Sequence, residues 1–332
     1  MKADFRDKVV LITGGTGSFG RAFSRVVLER YPIRKLIIFS RDEAKQYEMQ
    51  NDPALRSDGR LRFFIGDVRD VDRLEMAFRD VDYVVHAAAL KQIPAAEYNP
   101  FECIRTNVHG AENVVTAAIR TDVQKVIALS TDKAASPINL YGASKLASDK
   151  IFVAAKNLAG TGAPIFAVVR YGNVIGSRGS VIPFFQRKMR EKAGTLPITD
   201  ERMTRFWITL EQGVNFVLSC LGMMYGGEIF VPKIPSMGIM ELAAAMAPET
   251  PIEVVGIRPG EKLHELMITE DEARSTVELT DRYIILPPYH RDEQYGGAAT
   301  PVPDGFCYAS NTNKVSLTLK DMRALIAEIG ST

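Results

Sequence analysis

Along the first half of the chain, short runs of β-branched and other apolar residues alternate with stretches in which apolar positions recur at helical spacing. That alternation predicts a parallel sheet covered by helices on both faces. The apolar runs predict strands at 8–13, 35–40, 61–66, 83–87, 125–130 and 165–170. Between the first two, Phe19, Ala22, Phe23, Val26 and Val27 fall on one helical face, and 111–120 reads similarly. The pattern is that of an α/β, Rossmann-type doubly wound parallel sheet, expected over residues 1–172.

After Asn173 the alternation weakens, and Gly176, Gly179, Pro183, Pro197, Gly226, Gly227, Pro232, Pro235, Pro259 and Gly260 punctuate shorter elements. Residues 173–332 are expected to form a smaller mixed α/β lobe, mainly substrate-binding, with some chain returning to the first domain. The proline-rich segment 287–303 reads as a surface excursion, followed by a final helix at 319–329. No internal repeat or low-complexity tract occurs.

A chain of 332 residues is ample for a large core. Lys and Arg (41) nearly balance Asp and Glu (40), so a net charge of +1 offers no field for nucleic acid or an anionic membrane, and neither is expected as a partner. Cys103, Cys220 and Cys307 are odd in number and make no CxxC, which argues against a disulfide framework and for a reducing, cytoplasmic setting. No apolar run approaches the roughly 18 residues of a spanning helix. His86, His109, His264 and His290 lack metal-ligand spacing, and His264-Glu265 lacks the second histidine of a zincin, so no metal is expected. Phe206, Trp207, Met237, Met240 and Met246 read as core.

The first strand runs directly into GGTGSFG at 14–20 and then into a helix. Glycines 14, 17 and 20 allow a tight turn, close approach to a pyrophosphate and close helix packing, with Thr16, Ser18 and Phe19 between them. At the tip of the second strand, where an acidic residue would suit NAD, stand Ser40 and Arg41 with Lys45 nearby; a hydroxyl and a guanidinium suit a 2′-phosphate and favour NADP. Asp67 and Val68, after the third strand, are placed to meet adenine, although such an Asp is also a common helix cap.

Tyr141 and Lys145 lie one helical turn apart, and a nearby positive charge would favour the phenolate. By itself this spacing is common by chance. It gains weight because the fifth strand delivers Ser130, Thr131, Asp132 and Lys133 to the carboxyl edge of the sheet, where doubly wound folds bind ligands.

These residues, with His86-Ala87-Ala88-Ala89, resemble the extended short-chain dehydrogenase/reductase superfamily. More closely, GGTGSFG at 14–20, FSRDE at 39–43, FFIGDVR at 63–69, HAAALK at 86–91, LSTDK at 129–133, VRYGNV at 169–174, MTRFW at 203–207 and IRPGEK at 257–262 resemble the inverting UDP-N-acetylglucosamine 4,6-dehydratases, which begin pseudaminic acid synthesis for surface or flagellin glycans. The likeness runs from about 5 to 330. It implies a cytoplasmic, homo-oligomeric (dimeric or hexameric) lyase that acts on UDP-N-acetylglucosamine with NADP. Tyr141 would take the sugar 4-hydroxyl proton, Lys145 would hold the ribose and tune the phenol, and Thr131 would hydrogen-bond the substrate. Asp132 would protonate the leaving C6 oxygen and Lys133 would remove the C5 proton, replacing the Asp-Glu of retaining relatives.

Those last roles require a neutral amine and a protonated carboxyl, and desolvation under bound substrate is expected to supply both. By the same resemblance Arg205 and Arg258 would meet the diphosphate. Lys91, Asn173, Val181 and Thr199 would also touch substrate, and Asn107 would hold backbone near the site. Either arginine could instead pin a loop through a salt bridge. A retaining dehydratase or 4-epimerase is the nearest alternative, and a non-catalytic dinucleotide sensor is the alternative from another class.

Overall fold

The computed structural model describes residues 4–330 apart from 159, 161, 163, 178, 192–193, 289–294 and 296–298. In the first half β1 (Val9–Thr13), α1 (Ser18–Arg30), β2 (Lys35–Ser40), α2 (Glu43–Gln50), β3 (Leu61–Ile65), α3 (Val71–Phe78) and β4 (Tyr83–His86) alternate. They are followed by α4 (Ile93–Tyr98), α5 (Pro100–Ile104), α6 (Gly110–Arg120), β5 (Lys125–Thr131), α7 (Leu140–Leu158) and β6 (Ile165–Tyr171). Each predicted strand and helix forms, its ends moved by a few residues at most. All five residues of β1 are buried, as a strand covered on both faces requires.

The six strands pair in parallel in the order β3-β2-β1-β4-β5-β6. The order reverses between β1 and β4, and this switch point leaves a crevice outside the carboxyl ends of the strands.

The second half contains β7 (Asn173–Val174), α8 (Val181–Arg190), β8 (Leu196–Ile198), β9 (Thr204–Ile208), α9 (Leu210–Met223), β10 (Ile229–Pro232), β11 (Ser236–Gly238) and α10 (Ile239–Met246). It continues through β12 (Ile252–Val254), β13 (Leu266–Ile268), α11 (Glu270–Ala273), β14 (Thr276–Glu278), β15 (Arg282–Ile285), β16 (Thr300–Pro301), β17 (Tyr308–Ala309) and α12 (Leu319–Gly330). The chain returns to the main sheet as β10, parallel to β6, and then as antiparallel β15, β14 and β16. A separate apolar cluster gathers Ile182, Phe185, Leu196, Trp207, Met237, Leu242 and Met322, with Met240 and Met246 packed against it. Phe206 joins the main core. Much of the segment 287–303 lies outside the described residues; its described end supplies the edge strand β16.

Candidate active site

The turn between β1 and α1 has room only for glycine at two positions. Gly14 has φ +65°, and a Cβ there would stand 2.9 Å from the backbone of Ala88. A Cβ on Gly20 would stand 2.2 Å from the carbonyl oxygen of Gly15, which holds the helix close to the strand. No side chain caps α1 at Gly17, and the N-terminus of the helix borders the crevice, where it would favour an anion. The Oγ1 of Thr13 accepts the amides of Ala87 and Ala88 at 3.2 and 3.3 Å and bonds His86 Nδ1 at 2.8 Å. This places Ala87–Ala89 beside the glycine turn. Burial first, and the charge of Lys145 second, push His86 down to about 3, so the ring is neutral.

Beyond the turn, Thr16 Oγ1 and Ser40 Oγ are 2.9 Å apart. Arg41 is half exposed and reaches Asp67 at 3.5 Å. Lys45 pairs with Asp42, whose carboxylate caps α2. Burial would raise Asp67, but its bonds to Arg69 and the charges of Arg69 and Arg41 hold it below the usual carboxylate range.

All the predicted nucleotide residues line one cavity of about 1030 Å³: Gly14, Thr16, Gly17, Ser18, Phe19, Gly20, Ser40, Arg41, Lys45, Asp67, Val68, Ala87, Ala88 and Ala89. The same cavity is lined by Thr131, Lys133, Tyr141 and Lys145, and by Lys91, Asn173, Val181, Thr199, Arg205 and Arg258. Asn107, at a π-helical turn over Arg105–His109, exchanges bonds of 2.8 and 2.9 Å with the backbone of Leu90 and donates to Ser144 Oγ at 2.9 Å. It holds backbone, as expected. Among the described residues no group of three His, Cys, Asp or Glu is arranged to hold a metal ion.

Helix α7 starts where Asn139 Oδ1 accepts the amide of Gly142 at 2.7 Å. A Cβ on Gly142 would lie 2.2 Å from the carbonyl oxygen of Lys133, so glycine beside Tyr141 lets the helix rest on the Asp132–Ala134 turn. Burial pushes the Tyr141 phenol up to about 12 against the opposing charge of Lys133 and the polar contact with Thr131. The expected influence of Lys145 on the phenol is thus exerted chiefly by Lys133. Burial itself lowers Lys145, and Asp149, one turn further along α7, opposes this.

Asp132 corrects one expectation. Its side chain is 0% exposed and does not border the cavity; it lies behind Lys133 and Thr131. Asp132 Oδ1 accepts from Thr131 Oγ1 and from Lys133 Nζ, each at 3.0 Å, while Oδ2 has no partner. Burial raises its pKa despite Lys133.

The expectation for Lys133 concerns the site closed under substrate; in the structure at hand the amine is charged. Burial lowers its pKa, but Asp132 and Glu265 together outweigh burial, and the amine is held as ammonium. Nζ lies 3.3 Å from Glu265 Oε1 and donates to Asn173 Oδ1 at 3.3 Å.

Arg205 is a second correction. Its guanidinium donates to the carbonyls of Thr204, Leu263 and Lys262 at 2.7, 3.0 and 2.9 Å and lies 3.7 Å from Glu265. These bonds occupy the fork that a diphosphate would need, so Arg205 pins the 262–263 loop. Arg258 is largely exposed, with Glu261 at 3.9 Å. Sequence reasoning missed Glu265 and Lys262, both on the cavity wall. Glu265 had drawn notice only as part of a metal motif, and nothing in its neighbours signals its aim.

The polysaccharide biosynthesis protein family matches residues 10–287. The chain is 54% identical to the UDP-N-acetylglucosamine 4,6-dehydratase (inverting) of Campylobacter jejuni subsp. jejuni serotype O:2, over 97% of this chain and 98% of that one. The structure of Pen from Bacillus thuringiensis superposes with a TM-score of 0.90 at 36% identity, covering 99% of this chain and 100% of the other. DesIV of Streptomyces venezuelae, a dTDP-glucose 4,6-dehydratase with NAD and TYD bound, superposes at 0.68 with 26% identity, covering 77% and 86%.

Proposed function

The chain belongs to the polysaccharide biosynthesis protein family and, within it, to the inverting UDP-N-acetylglucosamine 4,6-dehydratases, and from that membership we propose the reaction its site performs. The protein dehydrates UDP-N-acetylglucosamine to UDP-2-acetamido-2,6-dideoxy-L-arabino-hex-4-ulose with inversion at C5. The observation that carries this reading is the contact at 3.0 Å between buried Asp132 Oδ1 and the Nζ of Lys133, which shares the cavity with Tyr141.

The glycine turn and the Ser40, Arg41 and Lys45 tip fit a dinucleotide with a 2′-phosphate, which supports NADP. Held by these residues, the nucleotide would supply a hydride acceptor for oxidation at sugar C4 and the hydride donor for reduction at C6. Tyr141 takes the 4-hydroxyl proton, helped by the charge of Lys133. A ketone at C4 acidifies the C5 proton. Transfer of one proton from Lys133 Nζ to Asp132 Oδ1 then turns the ammonium into the base and the carboxylate into the acid, with no net change of charge across the pair. Thr131 Oγ1 touches Asp132 at 3.0 Å and borders the cavity, so it can carry the proton of the buried acid outward to the leaving C6 oxygen.

We place the reaction at the start of pseudaminic acid synthesis for surface or flagellin glycans, in a cytoplasmic homo-oligomer, dimer or hexamer. Tyr98 and Phe101, strongly exposed on α4 and α5, support an apolar subunit contact. No helix among the described residues is long and apolar enough to cross a membrane. The test is incubation of the purified protein with UDP-N-acetylglucosamine in D₂O, read by NMR. Deuterium at C5 and an L-arabino product are expected; a D-xylo product would overturn the reading.

A further inference from the structure

Glu265 sits just before β13, and Ser310 grips its backbone from both sides. The Glu265 amide donates to Ser310 Oγ, and the Ser310 amide donates to the Glu265 carbonyl, each at 2.9 Å. The side chain is 2% exposed yet borders the cavity. Its Oε1 faces Lys133 Nζ at 3.3 Å and Arg205 Nε at 3.7 Å; Oε2, without a hydrogen-bond partner, has Lys262 Nζ at 3.9 Å. A buried carboxylate is costly unless cations match it. The packing of the sheet and of the second lobe gives no reason for one here.

We propose that Glu265 is a positioning residue for Lys133, its anchored carboxylate keeping Nζ an ammonium aimed into the cavity through the first chemical step. The inference rests on the dehydratase reading of this site. Around Nζ the negative groups are Asp132 and Glu265; the positive ones are Arg205, Lys262 and Lys91; Tyr141 and Asn173 complete the shell. Arg205 is fixed to backbone carbonyls and Lys262 donates to the Ala135 carbonyl at 2.5 Å, so both stay at 3.7 and 3.9 Å from Glu265 while Lys133 makes the shortest contact with it, at 3.3 Å.

An ammonium at Lys133 favours ionisation of the Tyr141 phenol, which the oxidation at C4 needs. The later removal of the C5 proton needs the amine, made when the Nζ–H bond breaks and an O–H bond forms on Asp132. The charge of Glu265 opposes that transfer, so the amine stays a minor form in the resting site.

The test compares full-length wild type with Glu265→Asp and Glu265→Gln by acylation with acetic anhydride across pH, followed by mass spectrometry. Labelling of Lys133 at a fixed alkaline pH reports its amine fraction, which rises about tenfold per pH unit of lowered ionisation. Glu265→Gln is expected to label Lys133 about tenfold faster or more, with Glu265→Asp between. The ascending limb of C5 deuterium exchange against pH should move down in the same order. An unchanged labelling profile for Lys133 in Glu265→Gln overturns the proposal even if turnover falls. Should that variant not fold, Glu265→Asp decides in the same way. Faster labelling in a protein that never dehydrates UDP-N-acetylglucosamine upholds the Glu265 contact and overturns the dehydratase reading instead.

Discussion

Asp132 and Lys133 are neighbours in sequence whose side chains meet from different surroundings, one carboxylate sealed in the protein and one amine bordering the cavity, joined across 3.0 Å. A pair so joined can pass a proton without moving a backbone atom, which gives each residue a consequence that can be measured.

Lys133→Ala removes the base and leaves Asp132 buried without its cation. Water loss and C5 deuterium exchange should fall by about 10²–10⁴-fold, the usual contribution of a general base. NADP affinity, measured by calorimetric titration, should stay close to wild type. Deuterium exchange at the wild-type rate would remove Lys133 from the mechanism.

Tyr141→Phe deletes the phenol while its ring can still fill the space. Turnover should fall by about 10²–10⁴-fold with NADP binding retained. Near-normal turnover would exclude Tyr141 as the proton acceptor.

At the nucleotide end, NADP should bind more tightly than NAD because Ser40 and Arg41 at the tip of β2 and Lys45 on α2 line the same cavity. Arg41→Asp should reverse the preference, weakening NADP by about 10- to 100-fold, the worth of one charged hydrogen bond. Calorimetry with both nucleotides checks this, and a wild type that prefers NAD would defeat it.

Gly142→Ala probes the seat of α7 on the Lys133 carbonyl. A Cβ 2.2 Å from that oxygen meets backbone, which cannot rotate away. The expected cost is about 1–3 kcal/mol of stability together with lost turnover as Lys133 shifts. Thermal unfolding and activity, measured side by side, would show slack at this contact if neither changed.

His86 ties stability to pH. Its ring titrates at about 3 in the folded protein against 6.5 as its ordinary value. Below pH 6.5 the unfolded chain therefore binds a proton that the native state refuses. This contribution is intact above 6.5 and is lost as pH falls toward about 3, by up to about 1.4 kcal/mol per unit. Denaturant titrations of His86→Asn between pH 7 and 5 should show a flatter dependence than wild type. Equal slopes would mean that other groups dominate.

The sequence by itself determined the six parallel strands of the first half and the two ends of the cavity. The apolar runs, the glycines at 14, 17 and 20, and the spacing from Thr131 to Lys145 are local patterns, and local patterns specify strand, turn and helix directly. Only the tertiary structure decided what surrounds them. Glu265, Arg205 and Lys262 come from segments remote in sequence from Lys133, and Ser310, near the end of the chain, fixes Glu265. Burial of Asp132, occupation of the Arg205 fork by carbonyls and the charge on Lys133 are sums over those distant neighbours. Electrostatic energy depends on distance and desolvation in space, and neither distance nor desolvation is written along the chain.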